Sequence, residues 1–160
     1  MSIDVAALIA AATEKGLTIA TAESCTGGMV AAALTDIPGS SSVLDRGFVT
    51  YSNAAKQQML GVQSATLEAV GAVSEEVAVE MAEGARDRAG VSLAVSVTGI
   101  AGPGGSEFKP EGRVCFALAF VGQDTFSQTI EFGPLGRDKV RLASRDHALT
   151  LLKAAISKPE

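Results

Sequence analysis

The chain has 160 residues, 47% of them hydrophobic, only 4% aromatic, with a formal charge of −5, and a chain of that size buries one core as a single domain, read as residues 1–160. The acidic balance excludes a general nucleic-acid binder, which carries a basic footprint, and the scarcity of aromatic rings excludes a base-stacking platform. Cys25 and Cys115 have neither the number nor the spacing of a metal site or disulfide framework, and apolar runs such as Val114 to Val121 fall far short of the ~20 residues that cross a bilayer, so the expectation is a cytoplasmic protein with reduced thiols, no metal and no membrane partner.

Val5, Leu8, Ile9 and Ala12 recur at helical spacing after Ser2 and Asp4, predicting an amphipathic helix that ends near Gly16. A strand follows from Leu17 to Ala22, then a turn and a helix of small residues from Met29 to Leu34. Pro38-Gly39-Ser40-Ser41 marks a loop before a strand from Val43 to Tyr51. Ser52-Asn53 reads as a cap, with Asn53 as the N-cap residue of a short helix from Ala54 to Leu60 that stops at Gly61. Ser64 to Val70 forms another helical turn or two. Ser74, followed by Glu75 and Glu76 in a first turn and by Gly90 past the end, predicts a helix over about Glu75 to Ala89.

Ser92 to Val97 is a short apolar strand, and the glycine-rich loop that opens at Gly99 runs on to Gly112. Arg113 to Val121 and Thr125 to Phe132 flank Gly122-Gln123-Asp124 as a β-hairpin, and a last helix runs from about Arg137 to Ile156. Early alternation of helix and strand followed by two successive strands predicts an α/β fold, a three-layer α/β/α sandwich with a mixed sheet.

The chemistry gathers in Thr21-Ala22-Glu23-Ser24-Cys25-Thr26-Gly27-Gly28, which sets a serine where a strand turns into a helix. Backbone N–H groups at a helix start lack intrahelical partners, so Thr26, Gly27 and Gly28 are candidates to hold an oxyanion or phosphate. The plainer alternative makes Ser24 or Thr26 the N-cap of that helix. With Asn53 as N-cap, Lys56 is the third residue of its helix, where the dipole disfavours an ammonium and burial adds to the effect. A neutral lysine can serve as a general base for Ser24; a solvated surface lysine is the alternative. The only histidine, His147, lies among charged residues of the last helix and reads as a solvated or pocket-capping residue, leaving Lys56 the better partner. Tyr51, at a strand end, is placed either to relay a proton and orient the lysine or to pack on the core.

Thr98-Gly99 ends a strand as Ala22-Glu23 does, so both loops open onto one sheet edge if the strands are parallel. The loop lacks the Gly-Lys-Ser/Thr of a P-loop, and its glycines do not follow the dinucleotide fingerprint. Arg137 and Arg141 lie one turn apart, spaced either to bind a phosphate together or to pair with Asp138 and other surface acids. Cys25 is a rival nucleophile, since a helix start can acidify a thiol, or else a buried structural cysteine.

The segments TAESCTGG (Thr21 to Gly28), GFVTYSNAAK (Gly47 to Lys56), GAVSEEV (Gly71 to Val77) and VTGIAGPGG (Val97 to Gly105) resemble, in order and over nearly the whole chain, the CinA C-terminal domain family, whose enzymatic members are nicotinamide mononucleotide deamidases. The resemblance implies a cofactor-independent serine amidohydrolase with a Ser/Lys dyad that converts nicotinamide mononucleotide and water to nicotinate mononucleotide and ammonia. Ser24 is then the nucleophile, Lys56 its base and Tyr51 their assistant, while Thr98 and Arg137 contact substrate. Thr26, Gly27, Gly28, Asn53, Gly99 and Arg141 complete the substrate-binding candidates. Glu111 stands where the family usually has an apolar residue, which implies altered contacts around Glu107 to Pro110. The molybdopterin-type N-terminal domain of many relatives has no counterpart here, so its activity is not expected. The competing expectation is a regulatory, non-catalytic nucleotide-binding module, and the sequence leaves homo-oligomerisation open.

Overall fold

The computed structural model describes residues 3–106 and 108–159; Ser2 at the expected first helix and Glu107 of the loop lie outside the described residues. The elements follow as α1 (Val5–Lys15), β1 (Ile19–Glu23), α2 (Met29–Thr35), β2 (Leu44–Val49), α3 (Asn53–Leu60), α4 (Ser64–Val70), α5 (Glu75–Ala89), β3 (Leu93–Gly99), β4 (Arg113–Phe120), β5 (Phe126–Glu131) and α6 (Arg137–Ser157), with a 3₁₀ turn at Ser40–Ser42 before β2. The five strands form one mixed sheet in the order β2-β1-β3-β4-β5, in which β1 runs parallel to both β2 and β3 while β4 and β5 form the antiparallel hairpin.

The side chains of the central strands explain the two helical layers. On one face Ile19, Leu93, Val95, Val97, Val114 and Phe116 pack in a core with residues of α1, α2 and α6. On the other, the alternate positions are small: Ala20, Ala22 and Ala94 meet Leu60, Val77, Met81 and Ala85, and Ala117 and Ala119 meet Ala78 and Ala82. Period-two alternation sends large and small residues to opposite faces. The alanines that inflate the hydrophobic content therefore form a shallow surface against which α5 lies.

Close approach continues within that layer. A Cβ added at Gly84 of α5 would lie 2.0 Å from the carbonyl oxygen of Leu60, at the end of α3, so only glycine lets the two helices meet at this distance. Gly84→Ala is expected to cost about 1–3 kcal/mol as an overpacked contact, seen as a fall of roughly 3–10 °C in the thermal midpoint. An unchanged midpoint would show that α5 does not fix the position of α3.

The parallel register is what creates a site. Glu23 is level with Val49 of β2 and with Val97 of β3, so the chain leaves all three strands along one edge. Residues 24–28, 50–52 and 99–105 therefore share that edge, beyond the C-terminal ends of parallel strands where α/β sheets bind ligands.

Candidate active site

Ser24 and Lys56 meet. Lys56 Nζ lies 2.9 Å from Ser24 Oγ and donates to the carbonyl oxygens of Thr50 at 2.9 Å and Tyr51 at 3.3 Å. Lys56 is 1% exposed and Ser24 7%, which overturns the solvated-lysine alternative. The local cause is the cap of α3. Ser52, not Asn53, is the N-cap residue, its hydroxyl accepting from the Ala55 N–H at 3.0 Å. This correction moves Lys56 to the fourth helical position, one residue further from the positive helix end than expected, and a residue there points inward.

The turn holding Ser24 is braced differently from expectation. Neither Ser24 nor Thr26 caps α2: the N-cap residue is Gly28, with no side-chain bond of its own. The carboxylate of Glu23 supplies the cap, Oε1 accepting from the N–H groups of Gly28 and Val30 at 3.2 and 2.9 Å and Oε2 from that of Ala31 at 3.0 Å. The Gly27 N–H donates to the Ser24 carbonyl at 3.1 Å. The amides of Gly27 and Gly28 expected to cradle an anion are thus already given to protein acceptors, and Thr26, Gly27 and Gly28 lie outside the cleft lining. Glu23 went unremarked in the sequence; the signal available was an acid shortly before a helix that starts on glycine.

A cleft of about 300 Å³ opens over Ser24 and Lys56, its walls including Tyr51, Asn53, Thr98 and Arg137 with the backbone of Gly99 to Ser106. Thr98 is buried at the end of β3 and donates its hydroxyl to the Ala72 carbonyl at 3.0 Å, tying the sheet edge to the segment before α5. Tyr51 is 63% exposed, which removes the core-packing alternative. Its phenol oxygen lies 2.9 Å from a terminal nitrogen of Arg137, whose other terminal nitrogen donates to the Gly102 carbonyl at 2.7 Å. Tyr51 reaches Lys56 through its backbone carbonyl and Arg137 through its ring.

Arg137 and Arg141 do not act as a pair. Arg141 turns away to the turn that carries Ser24, Nε donating to the Cys25 carbonyl at 3.0 Å, and is absent from the cleft lining. Cys25 is 6% exposed, and burial pushes its thiol up to about 11, opposite to the acidification a reactive thiol needs. His147 is half-buried against Phe116, with ring centroids 4.6 Å apart, and its Nε2 lies 2.8 Å from Gln128 Oε1; burial holds its imidazole below the ordinary value. It is a packing residue of α6, remote from the cleft. Glu111 braces the cleft loop from within, accepting the Gly104 N–H, while Lys109 donates to the carbonyls of Val70 and Val73, each at 2.6 Å. Among the described residues no cluster of His, Cys, Asp and Glu is arranged to hold a metal ion, and no helix is long and apolar enough to cross a membrane.

Known proteins carry the same architecture. A crystal structure of the competence/damage inducible protein CihA from Agrobacterium tumefaciens superposes with a TM-score of 0.91 at 47% identity, covering 99% of this chain and 100% of that one. The nicotinamide-nucleotide amidohydrolase PncC of Escherichia coli K12 is 53% identical over 139 residues, 86% of this chain and 84% of that protein. A CinA-like protein from Chlorobium phaeobacteroides is 64% identical over 107 residues, 66% of this chain but only 26% of its own length; for one from Chloroherpeton thalassium the match, at 56% identity over 122 residues and 74% of this chain, spans 29% of that protein. The chain thus spans less than a third of the length of these two relatives. The family model for the CinA C-terminal domain matches residues 4–156, and the chain belongs to that family.

Proposed function

We propose that the chain is an amidohydrolase that releases ammonia from the carboxamide of nicotinamide mononucleotide through a Ser24–Lys56 dyad, with residues 4–156 as one catalytic unit. The observation that carries this is the position of Lys56 Nζ, 2.9 Å from Ser24 Oγ and bonded to two carbonyls. Carbonyl oxygens have no proton to give, so Nζ donates to both. As an uncharged amine, Lys56 can accept from the Ser24 hydroxyl with its lone pair across the 2.9 Å contact. The resulting arrangement is a nucleophile with a base in hydrogen-bond reach, and the substrate class follows the relatives named nicotinamide-nucleotide amidohydrolase.

Lys56 takes the hydroxyl proton as Oγ attacks the carboxamide carbon, giving a tetrahedral oxyanion. Collapse breaks the C–N bond while the lysine ammonium protonates the departing nitrogen, releasing ammonia and leaving the nicotinoyl group, its ribose phosphate still attached, as an ester on Ser24. Water then gives a proton to Lys56 and its oxygen to the acyl carbon. The second tetrahedral species expels Oγ, which recovers its proton, and nicotinate mononucleotide leaves. Because the amides of α2 are occupied, we assign oxyanion stabilisation to the backbone of the Gly99 to Ser106 wall, where glycines permit close approach. Arg137, held by Tyr51 and Gly102, faces the phosphate.

Purified protein supplied with nicotinamide mononucleotide should release ammonia and nicotinate mononucleotide in equal amounts, with the Ser24 peptide carrying the nicotinate mononucleotide acyl group after rapid quenching. Binding without turnover overturns the proposal. Arg137→Gln should raise KM for the mononucleotide about tenfold or more, the scale of one charge-assisted contact, and should leave the slow reaction of the phosphate-free riboside nearly unaltered. An equal effect on both substrates removes Arg137 from the phosphate.

A further inference from the structure

Glu23 is a completely buried carboxylate beside the proposed nucleophile, and the reaction scheme gives it no role. Its bonds run in two directions. The side chain accepts three N–H groups from the start of α2, and the main-chain carbonyl accepts the Thr50 N–H at 2.8 Å. The Thr50 carbonyl in turn holds Lys56 Nζ at 2.9 Å. One residue is therefore bonded through its side chain to the turn that carries Ser24 and through its backbone to the segment that holds the lysine.

The reason for an acid at this position lies in what the neighbouring hydroxyls would otherwise do. Serine and threonine at a strand-to-helix turn ordinarily accept from helix-start amides. A Ser24 hydroxyl engaged in that way would face α2 and not Lys56. Glu23 satisfies Gly28, Val30 and Ala31 itself, so Ser24 Oγ stands against Nζ, while the buried Thr26 Oγ1 has no hydrogen-bond partner among the described residues. The same three bonds close the helix start to any anion of the substrate.

We infer that Glu23 is a positioning residue: by capping α2 in place of the adjacent hydroxyls it holds the Ser24 hydroxyl free for Lys56. The inference rests on the Ser24–Lys56 reading. In Glu23→Gln the side chain keeps its length, but an amide NH₂ replaces one acceptor and opposes a backbone N–H, so Ser24 or Thr26 is drawn toward the vacated amides.

The test measures kcat and KM for nicotinamide mononucleotide per folded molecule, with the folded fraction taken from circular dichroism and thermal melting. Glu23→Gln should lower kcat about 100-fold, the scale of a displacement near 1 Å at a reacting group. KM should stay within about threefold, because the Arg137 wall is untouched. Wild-type kcat per folded molecule overturns the inference, as does a loss confined to KM. If Glu23→Gln does not fold, Glu23→Asp, whose carboxylate is one methylene too short, is measured by the same criteria. Ser24→Ala separates the two levels: turnover persisting in Ser24→Ala sinks the dyad itself, whereas an inactive Ser24→Ala beside a fully active Glu23 variant sinks only the positioning role.

Discussion

Ser24→Ala is expected to lower ammonia release from nicotinamide mononucleotide by at least about 10³-fold, because it removes the atom on which the proposed acyl intermediate would be built. Binding should survive. Arg137, the proposed phosphate contact, is bonded to Tyr51 and to Gly102, not to the serine, so calorimetric affinity for the mononucleotide should stay within about threefold, the range of a contact that adds little in the ground state. Cys25 is next in sequence and offers no rescue. With its thiol at about 11, roughly one molecule in 10⁴ carries the thiolate at neutral pH, and its buried side chain is 6% exposed. Turnover within tenfold of the parent would move the nucleophile elsewhere, and weakened binding with normal turnover would make Ser24 a substrate contact only.

The elements most legible from the sequence were those whose ends carry local chemistry. Ser74 accepts from the Val77 N–H, Glu75 and Glu76 occupy the first turn and Gly90 ends the helix in a left-handed conformation, so α5 runs over the residues expected. Where two neighbouring residues offered the same chemistry, spacing was not enough. Ser52 and Asn53 are both good caps, and Ser52 takes the role directly after Thr50 and Tyr51, the two residues beyond β2 whose carbonyls hold Lys56.

Long-range facts were out of reach for a different reason. Arg137 and Arg141 share helical spacing, yet one reaches Gly102 of the cleft loop and the other Cys25 of the turn that carries Ser24, two segments far apart in sequence that spacing along α6 does not reveal. Glu23 is the last residue of β1, one past the strand end expected at Ala22. Its capping role spans five to eight residues, beyond the three-residue signature of a helix cap. His147, charged neighbours notwithstanding, packs on Phe116 of β4, a contact decided only when α6 folds back over the sheet.

Lys56→Met carries the complementary expectation, and its two effects point in opposite directions. Methionine fills nearly the volume of the lysine stem but can neither take a proton from Ser24 nor return one to the leaving nitrogen. In the proposed scheme both half-reactions would lose their base and acid together, so kcat should fall about 10³- to 10⁴-fold, near the upper range of general acid–base contributions. Stability should hardly change. Losing Nζ leaves the Thr50 carbonyl without that donor, at a cost of about 1–3 kcal/mol, while replacing a buried amine that is 1% exposed with an apolar group relieves desolvation of similar size. A thermal midpoint within roughly 5 °C of the parent, beside near-complete loss of turnover, is the expected result. A variant that melts early would mark Lys56 as a structural pin whose loss of activity follows from unfolding. One that stays folded and active would show that the 2.9 Å contact between Nζ and Ser24 Oγ plays no part in the reaction.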